Sequence, residues 1–283
     1  MSAMKLGAHM PSAGSLAKTL QSGLDIGCTA LQVFTSSPRQ WAAKPVDPEA
    51  ATEFRKLADA SGLQPVISHD SYLINICERE PELRQRAING LKAEMGRCAQ
   101  YGIPLVVSHL GAWKGYETEE AALKVMAEGI KEILADTDGS VTLLGETTAG
   151  QGSSLNYRFE HLAFLIEALK GDARFGVCLD TCHIFVAGYD LRTDDAYDAT
   201  WAAFDRIIGI KYLKAIHCND SKKPFRSRVD RHEHIGKGEI GIQAFERLVN
   251  DPRFEQIPIV LETPDAPEGH VRNLNLLKSL RRP

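Results

Sequence analysis

Short runs rich in aliphatic and β-branched residues alternate with longer segments of helical periodicity along this chain, and that alternation restricts the fold more than any other feature. Successive runs start roughly 36 residues apart, which is the length of one strand–loop–helix–loop unit. The eight runs are Lys5–His9, Ala30–Phe34, Pro65–His69, Pro104–His109, Val141–Glu146, Gly176–Asp180, Tyr212–His217 and Pro258–Glu262.

The segments between the runs carry the signals of helices. Asp47 offers an N-cap, Pro48 occupies the first helical position, and Gly62 ends the segment. Apolar residues at helical spacing predict buried faces in two other segments. These stripes are Leu83, Ala87, Leu91, Met95 and Cys98, followed by Gly102, and Leu123, Met126, Ile130 and Ile133.

Eight β-then-α units within 283 residues predict an α/β protein with a single domain over residues 1–283. We expect a closed (β/α)8 TIM barrel with its active site at the C-terminal ends of the strands. A doubly wound open sheet is the alternative. Its phosphate-binding fingerprint, G-x-G-x-x-G, is absent after the first strand, where Gly7-Ala8-His9 stands instead.

Composition excludes several classes of protein. A net charge of −4 excludes a general polycation, so nucleic-acid binding would need a local basic surface. No run has the roughly 18–20 apolar residues of a membrane span, and the N-terminus lacks the apolar core of a signal peptide, so we expect a cytoplasmic protein without membrane contact. The six cysteines form no C-x-x-C pair and lie mostly in apolar runs, as reduced thiols do.

The last residues of the runs are unusually rich in histidine and acids. In a parallel barrel all strands end at the same mouth, so these side chains should converge. A single histidine there is usually structural, but crowded ionisable groups are costly unless a cation holds them together. Seven of the eight ends have this character: His9, His69, His109, Glu146, Asp180, His217 and Glu262.

Further ligand candidates follow the runs. His183 lies just past Asp180, and Asp230 and His232 have the alternate spacing that aims two side chains the same way from an extended segment. Mixed imidazole and carboxylate ligands suit zinc, with manganese or iron as alternatives. So many ligands imply two or three ions, and closely spaced ions are typical of phosphoester hydrolysis. Cys182 lies among these candidates, but we interpret it as a core residue.

A basic loop follows the seventh run. It carries Lys222, Lys223, Arg226 and Arg228, in the same segment as Asp230 and His232, so its positive charge should lie beside the metals, where a phosphate chain would run.

Residues after the second and third runs offer a further contact surface. Arg39, Tyr72 and Leu73 could stack on bases or enter a duplex.

Several ungapped motifs resemble the endonuclease IV family of apurinic/apyrimidinic endonucleases, whose barrel belongs to the xylose isomerase-like superfamily. The resemblance covers nearly the whole chain. Its carriers are Gly7-Ala-His9, Phe34-Thr-Ser-Ser-Pro-Arg39-Gln-Trp41, His69-Asp-Ser-Tyr72-Leu73-Ile-Asn75, Thr148-Ala-Gly-Gln-Gly152, Asp180-Thr-Cys-His183-Ile-Phe-Val-Ala-Gly188-Tyr-Asp190, His217-Cys-Asn-Asp220-Ser, Arg228-Val-Asp230-Arg-His232 and Ile235-Gly-Lys-Gly238.

The resemblance implies three zinc ions per chain, with manganese or iron in some sites. His69, His109 and Glu146 would bind the first ion. The second would use Glu146, Asp180, His217 and Glu262, and the third His183, Asp230 and His232. His9 would lie behind the ligands without binding metal.

The implied activity is DNA repair by incision on the 5′ side of an abasic site, leaving a 3′-hydroxyl and a 5′-deoxyribose phosphate. Some trimming of blocked 3′ ends is also expected. Glu146 would be the catalytic residue that orients the attacking nucleophile. Arg39, Tyr72 and Leu73 would enter the duplex, and the partner would be double-stranded DNA bound by a monomer. The rival functions are a metal-dependent sugar isomerase or epimerase on a similar barrel and a catalytically silent binder of abasic DNA.

Some positions depart from the family pattern without removing a ligand. Thr147 stands where the family commonly has Asn, Pro11 and Ser15 replace the usual Ser and Gly, and Trp113 replaces a common His. Three other histidines fall outside the pattern and are predicted to lie on the surface: His161, His234 and His270.

Overall fold

Parallel strands close into a single barrel in the computed structural model, which describes residues 4–282. The eight barrel strands are β1 (Leu6–His9), β2 (Ala30–Val33), β3 (Val66–His69), β4 (Leu105–Ser108), β5 (Thr142–Glu146), β6 (Phe175–Asp180), β7 (Leu213–His217) and β10 (Ile259–Leu261). Each pairs with the barrel strand before it, and β10 closes the ring against β1. The predicted TIM barrel is confirmed, and the open sheet is excluded because no barrel strand is left at an edge.

Helices surround the barrel. They are α1 (Leu16–Asp25), α2 (Pro48–Ser61), α3 (Pro81–Tyr101), α4 (Glu119–Asp136), α5 (Phe159–Ala168), α6 (Thr181–Ala187), α7 (Asp194–Ile207), α8 (Ile242–Asn250) and α9 (Glu268–Leu280). After β7, two short antiparallel strands, β8 (Asp220–Ser221) and β9 (His232–Glu233), bracket the basic loop. No helix within residues 4–282 is long and apolar enough to cross a membrane.

The predicted helix signals are present at α2. The Asp47 side chain accepts the Glu49 N–H, Pro48 occupies the first turn, and Gly62 ends the helix at φ 67°, where a side chain would be strained. One apolar prediction is wrong: Leu83 is 50% exposed. It occupies the first turn of α3, and the buried face of that helix begins only at Ala87.

The apolar core has an inner and an outer part. Most of it lies between the strands and the helices, and a smaller cluster comes from alternate positions on six strands: Ile67, Val107, Leu144, Cys178, Ala215 and Val260. Each of these six is followed two residues later by a predicted metal ligand. Because side chains two apart in a strand share a face, the ligands lie directly above an apolar plug.

Gly7 in β1 is pressed against the backbone of β2. A Cβ atom there would lie 1.8 Å from the Ala30 carbonyl oxygen, whereas a Cβ at Gly96 in α3 would meet nothing within 4 Å. We expect Gly7→Ala to lower the free energy of unfolding by about 3 kcal/mol or more. Gly96→Ala should raise it by about 0.5–1 kcal/mol, because alanine favours the helix. Chemical denaturation measures both, and equal stabilities would contradict the packing described for β1 and β2.

Candidate metal centre

A cavity of about 340 Å³ opens at the C-terminal mouth of the barrel. Histidines and acids from strands, helices and loops line it, together with Phe34 and Tyr72. Among the described residues, four groups of side chains there offer ligand atoms that all lie within 4.8 Å of one another inside each group, and three of the four consist of histidines and acids alone. Their members are His69, His109 and Glu146; Glu146, Asp180, His217 and Glu262; and His183, Asp230 and His232.

The first group meets at one carboxylate oxygen. His69 Nε2 and His109 Nε2 each lie 3.1 Å from Glu146 Oε2. Glu146 is fully buried at the end of β5, and His69 is 5% exposed at the end of β3. His109 follows β4 and is partly open to the cavity.

The second group uses the other oxygen of the same carboxylate. His217 Nδ1 lies 3.0 Å from Glu146 Oε1, 3.3 Å from Glu262 Oε2 and 3.9 Å from Asp180 Oδ2. Glu146 therefore spans the first two groups. Three carboxylates converge on one imidazole, which leaves more negative charge than a single histidine can offset.

The third group joins α6 to the basic loop. His183 Nε2 lies 3.1 Å from Asp230 Oδ2, and His232 Nε2 lies 3.4 Å from Asp230 Oδ1. His232 Nε2 is also 3.6 Å from Asp180 Oδ2, so this group adjoins the second. Asp230 lies in the basic loop and His232 in β9, so the segment after β7, and not a barrel strand, positions these two side chains.

Imidazoles and carboxylates act as each other's counter-ions in the absence of metal. Burial lowers the pKa of His69, but the Glu146 carboxylate outweighs burial and raises the pKa to about 9. Burial raises the pKa of Glu146, yet His109 and His217 hold it well below its usual range. Burial also raises the pKa of Asp230, but the neighbouring His183 outweighs burial and lowers the pKa of this carboxyl to about 2.

The orientation of three imidazoles fits metal binding. His69 Nδ1 lies 3.0 Å from the Asp70 carbonyl oxygen, His183 Nδ1 lies 2.8 Å from that of Thr147, and His232 Nδ1 lies 3.1 Å from that of Glu262. A carbonyl only accepts, so each Nδ1 donates and each Nε2 is free to face the acids. The Nε2 atoms of His183 and His232 are buried and lie near Asp230, but neither forms a hydrogen bond with it. A metal ion would satisfy both atoms.

Two buried amides orient the second group, and the sequence predictions did not include them. Gln32 Oε1 accepts the His217 Nε2–H at 2.7 Å, which turns Nδ1 toward the carboxylates, while Gln32 Nε2 donates to Glu262 at 2.6 Å. Asn219 Nδ2 donates to Asp180 Oδ2 at 2.7 Å, and its Oδ1 accepts the Glu262 N–H. A glutamine inside the apolar run Ala30–Val33 was the available signal for the first of these.

His9 lies beside the centre and outside the three groups. Its Nδ1 is 3.0 Å from Glu262 Oε1, and its ring packs 4.4 Å from that of Phe34. Burial lowers its pKa. The ring therefore lies behind Glu262 and belongs to none of the three groups.

Tyr72 lies at the rim of the cavity, with Leu73 next to it in the chain and Arg39 in an adjoining segment. Tyr72 lines it and is 62% exposed, and its ring centroid is 6.2 Å from that of His69. Arg39 is exposed and Leu73 half-buried. The Pro38 carbonyl accepts the Tyr72 N–H at 3.1 Å, so the segments that carry these residues are bonded to each other.

Several contacts hold the basic loop in place. Its cations Lys222, Lys223, Arg226 and Arg228 are all exposed. Arg226 lies over the Phe225 ring and Arg228 lies 4.4 Å from the centre of the Tyr157 ring.

Asp220 anchors the base of this loop. Its carboxylate accepts the N–H groups of Ser221, Gly238 and Ile240. The two ends of the loop are therefore fixed to each other next to the centre.

Comparison with known proteins identifies the family. A family model described as a xylose isomerase-like TIM barrel matches residues 20–280. A protein of Chloroflexus aurantiacus named probable endonuclease 4 is 48% identical over 280 residues, covering 98% of each chain. Another of that name, from Geotalea daltonii, is 46% identical over 96% of this chain and 95% of its own. The chain belongs to the endonuclease IV family. The predicted resemblance is confirmed, and so is the prediction of an enzyme of this type.

Solved structures agree with this membership. The crystal structure of endonuclease IV from Thermus thermophilus superposes with a TM-score of 0.86 at 34% identity, over 98% of each chain. A D-tagatose 3-epimerase-like protein gives a TM-score of 0.70 at 16% identity, over 98% of this chain and 97% of its own. At that identity the likeness shows a shared barrel alone, so it does not favour the sugar-epimerase alternative.

Two of the three histidines predicted to be on the surface are buried, so that prediction is wrong. His161 is 4% exposed, where Nδ1 accepts the Asn156 N–H and Nε2 lies 3.3 Å from Glu119. His270 is 2% exposed and lines the cavity, and burial lowers its pKa to about 4. His234 is half-buried. Local polar partners let these rings enter the interior.

The departures from the family pattern have local roles. Thr147 Oγ1 accepts the Asp180 N–H at 2.9 Å, and Ser15 caps α1 through Lys18. Cys182 is fully buried, and burial raises its pKa to about 12. It also forms a ligand-like group with Asp180 and His232. The structure offers no specific account of Pro11 or Trp113.

We expect Gln32→Leu to weaken zinc binding roughly 10- to 100-fold, because His217 loses the acceptor that fixes its tautomer. The control is Gln21→Leu, which alters an exposed glutamine bonded only to Asp25 within α1. Competition with a chromophoric chelator measures the affinity, and circular dichroism verifies folding. Equal affinities in the two variants would show that Gln32 does not orient the second group.

Proposed function

We propose that this protein incises DNA on the 5′ side of abasic sites, leaving a 3′-hydroxyl and a 5′-deoxyribose phosphate, and that it also trims blocked 3′ ends. Family membership is the observation that carries the proposal. The geometry supports it, since three ligand groups line one cavity beside a basic loop and an exposed Tyr72. The proposed partner is double-stranded DNA that carries abasic sites or blocked 3′ ends.

We further propose three zinc ions, one in each group, with manganese or iron as substitutes in some sites. The mixture of imidazole and carboxylate ligands supports zinc over magnesium or calcium. Bound ions would supply positive charge that stabilises phosphate oxygens and activates water. The residues expected to hold them are His69, His109, Glu146, Asp180, His183, His217, Asp230, His232 and Glu262.

Glu146 is the proposed catalytic residue. Its two oxygens face different groups, Oε2 toward His109 and Oε1 toward His217. A carboxylate in this position can accept a hydrogen bond from the attacking water and aim it at phosphorus. Its burial fixes the direction of that bond, because the side chain has no freedom to rotate.

Recognition of the lesion is assigned to the rim. Arg39, Tyr72 and Leu73 would enter the duplex and hold it bent, with the base-free sugar in the cavity. Extrusion is cheap at an abasic site because no base pair is broken there. The exposed cations of the basic loop would follow the phosphates.

The proposal also covers the localisation, domain organisation and oligomeric state of the protein. We assign the protein to the cytoplasm, since all six cysteines are free and buried, as in a reducing compartment. We treat residues 1–283 as one domain that acts as a monomer.

The proposal is tested with the metal-loaded protein and a duplex that carries one abasic analogue. Nicking supports the endonuclease. Tight binding without nicking would indicate the silent binder. If the protein neither nicks nor binds the duplex, the sugar isomerase becomes the favoured function. An intact duplex of the same sequence is the control.

Purified active protein is expected to contain two to three transition-metal ions per chain, because nine ligands in three groups exceed what one ion can use. Glu146→Gln should reduce turnover by orders of magnitude, since an amide is a poor bridging ligand and a poor acceptor for the water. Elemental analysis and a nicking assay provide the measurements. One ion or none in active enzyme, or near-normal turnover of the variant, would refute these assignments.

The basic loop is tested through the salt dependence of DNA binding. Lys222→Ala/Lys223→Ala should weaken binding to abasic and intact duplex about equally and reduce the log–log salt slope by roughly one to two. Lys56→Ala/Lys211→Ala, which removes two exposed lysines far from the mouth, is the matched control. If the two double variants have the same slope, the loop is only a solvated surface.

The rim is tested with Tyr72→Ala/Leu73→Ala. Loss of the wedge should weaken binding to abasic duplex by about 1–3 kcal/mol, because nothing then offsets the bending of DNA. Hydrolysis of a small activated phosphodiester should stay nearly unchanged. Leu83→Ala, at an exposed leucine outside the cavity, is the control. A parallel loss on both substrates would show instead that the pair supports the metal centre.

A further inference from the structure

A buried ion pair on α3 takes no part in the metal groups. Glu94 is 4% exposed, and its Oε2 pairs with the Arg97 guanidinium one turn later on the same helix. Burying such a pair costs several kcal/mol of desolvation per ion, which good geometry and further hydrogen bonds must offset. The contacts that supply these hydrogen bonds identify what the pair holds in place.

Glu94 joins a loop to a barrel strand. Its Oε1 accepts the hydroxyl of Thr35 and the hydroxyl of Ser68, both at 2.6 Å. Thr35 lies in the loop that follows β2 and leads to Arg39, and Ser68 directly precedes His69 in β3. A single carboxylate oxygen thus bonds both the loop that leads to Arg39 and the strand that ends at His69.

Arg97 holds the same loop from the other side of the pair. Its Nε donates to Thr35 Oγ1 at 3.0 Å, and its NH2 group donates to Ser36 Oγ at 3.1 Å. Further along the loop, Arg86 of α3 lies 4.6 Å from the centre of the Trp41 ring. Helix α3 therefore fixes the loop both before and after Arg39.

The loop in turn holds the wedge. The Pro38 carbonyl accepts the Tyr72 N–H at 3.1 Å and the Ser71 hydroxyl at 2.8 Å. Segments 35–41 and 70–73 are consequently one hydrogen-bonded unit, which we call the recognition unit.

We propose that the Glu94–Arg97 pair is a positioning device that sets the distance and angle of the recognition unit relative to the metal groups. The proposal rests on the proposed function, in which Arg39 and Tyr72 enter the duplex. Hydrogen bonds from hydroxyl groups to a charged oxygen are strong and directional. The pair therefore fixes the position of the loop relative to β3 more tightly than apolar packing would. Glu94 touches no reacting atom and acts only through Thr35 and Ser68.

Two variants test the coupling without reference to activity. Glu94→Gln removes the charge, and Thr35→Val removes the hydroxyl with little change of shape. Hydrogen exchange of the metal-loaded full chain should accelerate about tenfold or more at amides in 35–41 and at Tyr72, with strands β3 to β5 unchanged. The control is Glu132→Gln, which removes the charge of the α4 carboxylate that pairs with Lys92 of α3 at 2.7 Å. Unchanged exchange in both variants would overturn the proposal.

Kinetics test the consequence. Each variant should lower kcat/KM for abasic duplex roughly tenfold, mainly through KM, while hydrolysis of a small activated phosphodiester stays within twofold. In a Tyr72→Ala background the loss should largely disappear, because Glu94 would act through the same unit. Additive losses, or equal losses on both substrates, would overturn it. Failure of the unaltered enzyme to nick abasic DNA would refute the proposed function, and the exchange results would still decide the coupling.

Discussion

The buried carboxylate of Glu146 is the interaction on which the rest of the centre depends. Within residues 4–282 its ion-pair partners are all imidazoles, those of His69, His109, His183 and His217. A lysine or arginine would neutralise Glu146 permanently and fill the space that an ion needs. Imidazoles can release their protons when a metal ion binds, so the groups that pair with Glu146 are also suited to serve as metal ligands.

Neutral hydrogen bonds hold this charged cluster in shape. Backbone carbonyls fix three of the imidazoles, and the amides of Gln32 and Asn219 fix the second group. Charge neutralisation and orientation are thus supplied by different residues. The rim follows the same division, since Arg39 and Tyr72 are exposed, whereas Glu94, which bonds Thr35 and Ser68, is buried.

The sequence by itself determined the barrel and most of the candidate ligand residues that gather at its mouth. Alternation of strand-like and helical segments requires parallel strands, and parallel strands end at one mouth, so residues such as His69 and Glu146 had to converge. The period of two along each strand then places them above the apolar plug formed by residues such as Ile67 and Leu144. These inferences succeed because they depend on local periodicity, which can be read directly from the sequence.

Only the tertiary structure decided which groups pair and what orients them. Asn219 bonds Asp180 across 39 positions and Gln32 bonds Glu262 across 230, so no local pattern reveals either contact. The burial of His161 and His270 was likewise invisible, because it depends on partners that the fold supplies. Glu94 looks in sequence like one more helical acid, and its position between Thr35 and Ser68 arises only when α3 packs against the barrel. Long-range hydrogen bonds of this kind are set by barrel closure, since closure brings residues distant in the chain within 3 Å.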